Sequence, residues 1–262
     1  MTTPEIRRSH IVQAIGTDGS VSVANLADQL AVSEMTIRRD LDELEKDGLV
    51  RRVYGGAVSA RSRSYEPPFR VRSTESAAAK RRIGKRAAQL VADGDTVALD
   101  VGTTTIEVGQ NLIDRKNLTV ITTSLRIANF FFSQSNTRLI LSGGIVRQEE
   151  GSLTGELPKE AFKRLYVDRL FLGVASIHSD VGLTEYNWDD AIVKQAMIES
   201  AKEVIVVADS TKFETVAFAH VAPFSSIHKL VTDSFPPDPL ATRLAEHNVS
   251  VIVARGGGDG RA

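Results

Sequence analysis

Hydrophobic residues follow two different spacings along the chain, helical near the start and in short continuous runs later. Four residues form an apolar stripe that predicts a first helix ending at Gly16. Residues 23–32 repeat the helical spacing, and a tight turn leads to a third helix that begins after Ser33. The three helices would share one small core. The stripe of the first helix consists of Ile6, Ile11, Val12 and Ile15.

The third helix has one apolar and one basic face. If Ile37 points inward, Leu41 and Leu44 lie within about 40° of it at 100° per residue, and Arg39 lies roughly opposite. We interpret Asp40 as an acidic exception on the exposed face. A carboxylate gains nothing against phosphate, so we expect Asp40 to pair with a neighbouring arginine. Such a helix packs on one side and leaves the other free to enter a DNA groove.

The start of the third helix carries a capping signal. Ser33 can accept a hydrogen bond from the backbone N–H of Thr36, so the first turn would present Glu34 and Thr36. Base-reading helices use this turn and the face that runs down from it. Arg38 lies on the flank of that face. Taken alone, a capped helix with outward arginines is more often a solvated surface than a DNA contact.

A β-hairpin is predicted directly after the three helices. Residues 49–58 contain two short extended pieces around Gly55 and Gly56. We interpret this hairpin as a wing that brings Arg51 and Arg52 near phosphates or the minor groove. The order of the elements favours a winged helix-turn-helix that binds a double-stranded DNA operator over a merely solvated helix.

Composition excludes several other classes of protein. The 262 residues contain no cysteine, which excludes disulfides, thiolate catalysis and zinc fingers. No apolar run approaches 18 residues, so we expect a cytoplasmic protein that makes no membrane contact. The net charge is only −1, which speaks against indiscriminate DNA coating. Basic residues concentrate between 51 and 86, where we expect those from Lys80 to Arg86 to be solvated.

The chain divides into a small and a large domain. We predict a DNA-binding domain over 1–60, a linker over 61–75, a sensor domain over 76–254 and a disordered tail over 255–262. Apolar runs alternate with helical ones in the sensor domain, which predicts a mostly parallel α/β sheet covered on both faces. The predicted strands are 96–100, 119–122, 137–141, 168–175, 203–208, 229–232 and 250–254.

Ligands of parallel α/β sheets bind beyond the carboxyl ends of the strands, so the turns there are candidate sites. The turn after the first strand combines a glycine, three hydroxyls and a helix N-terminus, which suits a phosphate. An ordinary βα turn with a Thr cap is the alternative. Turns after other strands point to the same edge, so we predict one effector site that includes Gly102, Thr103, Thr104, Thr105, Ser124, Gly143 and Gly144.

Charged residues complete this predicted site. Lys212 follows a buried strand by a few residues and is the natural counter-charge for an anionic ligand. Asp100 and Asp209 each end a strand. They would either accept hydrogen bonds from sugar hydroxyls or cap neighbouring backbone. The pattern is neither a Walker loop nor a dinucleotide fingerprint, so we expect no cofactor.

The first 60 residues resemble a known family. The run from Val32 to Leu49, followed by residues 51–57, closely resembles the DNA-binding domain of the DeoR family of bacterial transcriptional regulators. This resemblance implies a homo-oligomer, either a dimer or a tetramer, bound to repeated operator half-sites. It also implies that Thr36, Arg38 and Arg39 lie on the recognition helix.

The remainder resembles the sensor domain of the same family, in residues 95–105, 142–144, 171–173, 182–184 and 208–213. That domain is similar to sugar-phosphate isomerases and is understood to bind phosphorylated sugars. By this resemblance, Gly102 to Thr105 and Lys212 would contact the phosphate, with Asp100 and Asp209 lining the pocket. Two residues depart from the family pattern, Thr123 in place of asparagine and Ser176 in place of glycine.

The resemblance implies a regulator, in which a phosphorylated sugar controls a repressor of a carbohydrate-metabolism operon. The alternative is an isomerase-like enzyme with an attached DNA-binding domain. Isomerisation needs a carboxylate base, and Asp100, Asp168, Glu185 and Asp209 are candidates. A sensor that converted its own signal would be a poor switch, so we expect no enzyme activity.

Overall fold

The computed structural model describes residues 3–18, 20–59, 63, 64 and 66–255. The chain separates into two compact units, Met1–Val71 and Arg72–Ala262. Within the described ranges, no helix is long and apolar enough to cross a membrane. The predicted tail lies outside the described residues from position 256 onward, as do positions 60–62 and 65 of the region around the predicted linker.

The first unit contains a winged helix-turn-helix, which confirms the fold predicted for it. Helices α2 and α3 form the helix-turn-helix pair, and β2 and β3 form the wing, with β1 added to the far side of β3 as a third antiparallel strand. The elements are α1 (Pro4–Asp18), β1 (Ser20–Ser22), α2 (Val23–Leu30), α3 (Glu34–Lys46), β2 (Val50–Val53) and β3 (Gly56–Ser59).

One apolar cluster holds these elements together. Ile11, Leu26 and Ile37 supply buried side chains from the three helices. Two details of the predicted first helix are wrong. Ile6 is 51% exposed instead of buried, and α1 continues through Gly16 to Asp18.

The second unit is built on a seven-stranded sheet in which every strand pair is parallel, as predicted. The strand order is β15-β14-β12-β9-β4-β5-β6. Its strands are β4 (Thr96–Leu99), β5 (Leu118–Thr122), β6 (Thr137–Leu141), β9 (Val167–Leu172), β12 (Ala201–Val207), β14 (Lys229–Thr232) and β15 (Ser250–Val253).

Helices cover the sheet, and separate apolar clusters occupy its two faces. Ile83 on α5 and Val108 on α6 belong to one cluster, whereas Met197 on α9 and Leu240 on α10 belong to the other. The helices are α5 (Ala77–Ala88), α6 (Thr103–Gln110), α7 (Leu125–Phe131), α8 (Glu156–Lys163), α9 (Trp188–Ser200) and α10 (Asp238–Glu246). A sheet covered on both faces explains why its strands are apolar throughout.

Three features of the chain after residue 60 were not predicted. A short helix, α4 (Phe69–Thr74), lies within the segment that we expected to be a linker. A small antiparallel sheet is formed by β10 (Ser176–His178), β11 (Gly182–Glu185) and β13 (Ala219–Ala222). A hairpin is formed by β7 (Ile145–Arg147) and β8 (Ser152–Thr154). These strands have three or four residues each, too few to show a period in the sequence.

Candidate functional site

Helix α3 begins at the predicted cap. The Ser33 Oγ accepts a hydrogen bond from the backbone N–H of Thr36 at 3.2 Å and lies 2.9 Å from the Thr36 hydroxyl. Ser33 and Glu34 are exposed, and Thr36 is half-buried. The cap fixes the first turn of the helix, so this turn has a defined direction from which to meet DNA.

The two neighbouring arginines of α3 differ in their contacts. Arg38 forms an ion pair with Glu34 at 3.0 Å, one turn earlier on the helix. Arg39 is exposed, and its side chain has no hydrogen bond or ion pair among the described residues. A guanidinium presents five N–H donors in a planar fork, the shape that binds guanine or phosphate. Arg39 keeps this fork available.

The two arginines of the wing also differ. Arg51 is exposed. Arg52 is half-buried, and its Nη1 donates to the backbone carbonyl of Arg38 at 3.0 Å and to Asp42 at 2.9 Å. Its backbone N–H donates to Glu45 at 2.6 Å. Arg52 therefore holds the wing against α3, and its charge is neutralised by Asp42.

Asp40 does not lie on the exposed face, where we expected it, and at 100° per residue it is only about 60° from Ile37. It is 6% exposed instead of solvent-facing, and it forms a buried ion pair with Arg7 of α1. The expected arginine partner exists, but it is 33 residues away. The Arg7–Asp40 pair joins the first helix to the third and contributes to the interior of the domain instead of its DNA-facing surface.

In the second unit, the order of the strands defines a crevice. The chain moves outward from β4 through β5 to β6, and then outward in the opposite direction from β9 through β12 to β15. The switch point lies between β4 and β9. Ligands of such sheets bind beyond the carboxyl ends of the strands at this point. Here β4 is followed by Asp100, and β9 is followed by Gly173.

A buried lysine occupies the switch point. Lys194 of α9 donates to the carboxylate of Asp100, to the carbonyl of Gly173 at 2.9 Å and lies 3.3 Å from Glu185. Asp100 also accepts the backbone N–H of Gly173 at 3.0 Å. Burial alone would lower the pKa of Lys194, but the carboxylates of Asp100 and Glu185 raise it above its ordinary value. Asp100 is 1% exposed and accepts a backbone N–H, the second of its two predicted roles.

The glycine turn after β4 has a backbone conformation that only glycine adopts readily. Gly102 has φ 150° and ψ 160°. Thr105 is fully buried and donates to the Gly102 carbonyl at 2.9 Å. Thr104 is also buried, whereas Thr103 is half-buried at the first position of α6. Of the three predicted hydroxyls, Thr103 is therefore the most accessible to a ligand.

The turn after β12 contains the second predicted aspartate. Asp209 accepts the backbone N–H of Thr211 at 3.1 Å and caps a 3-10 turn, Ser210–Lys212. Asp209 is 1% exposed, and Lys212 is half-buried. The cap fixes the direction in which the turn carries Lys212.

Lys80 lies beside Asp209, although we expected it to be solvated. Lys80 is 3% exposed, its Nζ donates to the backbone carbonyl of Arg72, and it lies 4.0 Å from Asp209. A signal in the sequence could have revealed this position. Lys80 precedes Ile83 by three residues, on the apolar face of its helix. Lys194 precedes buried Met197 in the same way.

The remaining predicted residues lie further along the same edge. Ser124 is buried and caps α7 by accepting the N–H of Ile127 at 3.2 Å. Gly143 and Gly144 follow β6, four strand positions from β12. At about 4.8 Å per strand, the axes of β6 and β12 lie about 19 Å apart in the sheet. A Cβ on Gly144 would lie 2.6 Å from the carbonyl of Thr154, which is a packing reason for glycine.

A DNA-binding winged helix-turn-helix, together with a parallel α/β domain that has polar strand ends, defines a ligand-responsive transcriptional regulator. Comparisons with known proteins agree. Residues 7–63 match the DeoR-like helix-turn-helix domain, and residues 75–234 match the DeoR C terminal sensor domain. The chain belongs to the DeoR family of transcriptional regulators.

Two relatives from Escherichia coli K12 match almost the whole chain. The uncharacterized HTH-type transcriptional regulator YgbI is 36% identical over 96% of this chain and 98% of its own. The glycerol-3-phosphate regulon repressor is 31% identical over 94% of this chain and 97% of its own. Both are transcriptional regulators by name.

A solved structure of ribose 5-phosphate isomerase A from Methanocaldococcus jannaschii also matches. It is 19% identical with a TM-score of 0.40, over 53% of this chain and 55% of its own. A likeness this distant carries no argument about chemistry.

Proposed function

We propose that this protein represses genes of carbohydrate metabolism and that a phosphorylated sugar, bound in the second unit, controls its hold on DNA. The name of one relative, the glycerol-3-phosphate regulon repressor, supports repression as the direction of control and a phosphorylated metabolite as the class of signal. The protein would act in the cytoplasm as a homo-oligomer, a dimer or tetramer, on repeated half-sites of a double-stranded operator.

The observation that carries this proposal is the capped helix α3 with its exposed Arg39. Ser33 fixes the first turn, and Arg39 has no partner among the described residues. A guanidinium without a protein partner can form hydrogen bonds to a base edge or a phosphate when the protein binds DNA. In this proposal Glu34, Thr36 and Arg38 belong to the same face.

The wing has divided roles in the proposed complex. Arg51 is exposed and would contact a phosphate directly. Arg52 is bonded to Asp42 and to the backbone of α3, so it would act by holding the wing against the recognition helix. This arrangement lets the wing and the helix meet DNA as one rigid surface.

The proposed effector site centres on the phosphate-type turn Gly102–Thr105, with Lys212 as a counter-charge. Gly102 brings the backbone of the turn to the N-terminus of α6, and the helix dipole favours an anion there. Asp100 and Asp209 would shape the site from beneath, because both are buried and accept backbone N–H groups. Ser124, Gly143 and Gly144 would border the same edge.

Two measurements on the full-length protein test the proposal. Selection from a random pool of double-stranded DNA should enrich a repeated half-site, and enrichment no better than the starting pool would count against a sequence-specific regulator. Glycerol 3-phosphate, ribose 5-phosphate, glucose 6-phosphate and fructose 6-phosphate should then be screened for a rise in melting temperature. The unphosphorylated sugars are the matched controls and should give no rise.

A further inference from the structure

Two buried lysines lie at the carboxyl edge of the seven-stranded sheet, and they differ in how their N–H donors are used. Lys194 donates to Asp100 and to the carbonyl of Gly173, and it forms a salt bridge with Glu185 at 3.3 Å. It is a satisfied structural cation. Lys80 is equally buried but has a different set of neighbours.

Lys80 has a single acceptor within hydrogen-bond distance among the described residues. That acceptor is the backbone carbonyl of Arg72. The nearest carboxylate oxygen, on Asp209, lies at 4.0 Å, which is beyond a hydrogen bond. The other oxygen of Asp209 accepts from Thr211. Two of the three donors of Lys80 therefore lack an acceptor, and burial lowers the pKa of this lysine.

Charged side chains of both signs surround Lys80, among them Glu107 of α6. Lys212 is close enough to act on the charge of Lys80, and it opposes the attraction of Asp209. Glu75 and the ion-paired Arg72 are the other charged neighbours on the entry to α5. Asp209 and Glu75 match the two lysines in number, but neither has a hydrogen bond to Lys80 among the described residues, so an incoming anionic group would supply the missing acceptors.

The N-termini of two helices meet near this position. Helix α5 leads into the amino end of β4, and α6 leaves its carboxyl end, so both helices begin at the same edge of the sheet. They pack closely, since a Cβ on Gly84 would lie 2.5 Å from Glu107. One turn earlier on each helix are Lys80 and Thr103. Lys80 thus lies beside the turn that we propose for the phosphate.

We propose that Lys80 is an effector-binding residue, and that it exchanges the carbonyl of Arg72 for the anionic group of the bound sugar phosphate. This inference rests on the proposed function, because it assigns a further residue and a trigger to the same effector site. The ammonium would gain two charge-assisted hydrogen bonds. The carbonyl of Arg72 would lose its hydrogen bond from Lys80.

The exchange gives ligand binding a route to the chain that precedes the sensor. Arg72 lies in α4, the short helix that joins residues 75 onward to the residues of the first unit. Its side chain would remain ion-paired with buried Glu150. Occupancy of the site would therefore loosen the backbone of α4 without detaching it.

The test compares Lys80→Met with Lys85→Met in the full-length protein. Lys85 lies on the same helix but is exposed, so it is a matched control. Calorimetric titration with the four sugar phosphates and with inorganic phosphate should show at least a tenfold weaker affinity for Lys80→Met and no change for Lys85→Met. Melting without ligand should show that both variants are folded. Affinity within twofold of wild type in Lys80→Met would overturn the inference alone.

The wild-type protein gives a second, independent readout. Hydrogen exchange of the amides in residues 69–80 should become faster when the site is saturated with the tightest sugar phosphate of the panel, since the tie between Lys80 and Arg72 is lost. Unchanged or slower exchange would overturn the exchange mechanism even if Lys80→Met failed to fold. No binding of any probe by the wild type would overturn the proposed effector class together with the inference.

Discussion

Asp40 of helix α3 accepts two hydrogen bonds from the guanidinium of Arg7 on α1, one of them at 3.1 Å. Both side chains are less than one-tenth exposed. The pair therefore fixes α3 against α1 from the interior, while the opposite face of α3 presents Arg39. Removing one member of a buried pair leaves the charge of the other buried without a partner. The cost in stability is larger than the net contribution of the pair.

We predict that Asp40→Ala destabilises the DNA-binding unit by about 3–5 kcal/mol. Urea unfolding of the full-length protein, monitored through the hydrogen exchange of the α1 and α3 amides, measures the loss. Asp28→Ala, at an exposed position of α2, is the matched control and should stay within about 0.5 kcal/mol of wild type. The double variant Arg7→Met with Asp40→Leu should recover most of the loss; if it does not, the stranded charge is not the cause.

Arg39 should carry more discrimination between DNA sequences than any other arginine of α3. We predict that Arg39→Ala costs about 1–3 kcal/mol, roughly 5- to 150-fold, on the selected operator and far less on random DNA. Fluorescence anisotropy with both DNAs measures the difference. Arg86→Ala, an exposed arginine on α5, is the control and should not change either affinity. An equal loss on both DNAs would reduce Arg39 to a phosphate contact.

The two wing arginines should differ in their salt dependence. We predict that Arg51→Ala reduces the magnitude of the slope of log K against log salt by about 1, the value for one lost phosphate contact. Arg52→Ala should leave the slope nearly unchanged, because Asp42 already neutralises that guanidinium, and should weaken binding by loosening the wing. Asp42→Asn should mimic the second effect. Equal slopes for Arg51→Ala and Arg52→Ala would show that both side chains reach phosphates.

The sequence predicted the features that depend on neighbours along the chain. The Ser33 cap is confirmed, and it could be predicted because its partner is three residues away. The parallel sheet is confirmed too, and it could be predicted because buried strands are apolar throughout. The burial of Asp40 was missed because its partner lies 33 residues earlier. Lys194 was missed for the same reason, since Asp100 is 94 residues away. Tertiary pairing of charges leaves little trace in a local pattern.

Lys194 should stabilise the second unit across the whole neutral range. Its pKa is raised in the folded protein, chiefly because the attraction of Asp100 and Glu185 outweighs burial. The stabilisation is therefore complete below the unfolded value of about 10.4 and is lost as pH rises through the folded value. We predict that Lys194→Met costs about 3–5 kcal/mol at pH 7 and that this deficit stays constant up to about pH 10.

Urea unfolding between pH 7 and about pH 11 measures this deficit. Lys202→Met, an exposed lysine on β12, is the matched control and should show no deficit at any pH. A deficit that disappeared already near pH 8 would mean that the pKa of Lys194 is lowered by burial instead of raised by its two carboxylates.

Operator binding by the full-length protein, measured by anisotropy with and without the best sugar phosphate, tests the central claim most directly. The account predicts a 5- to 150-fold change in operator affinity, equivalent to a coupling of about 1–3 kcal/mol. Lys212→Ala should bind the operator like wild type but respond less to the sugar phosphate, whereas Arg39→Ala should bind the sugar phosphate like wild type. An operator affinity that no sugar phosphate changes, or a Lys212→Ala variant that loses the operator itself, would contradict the account.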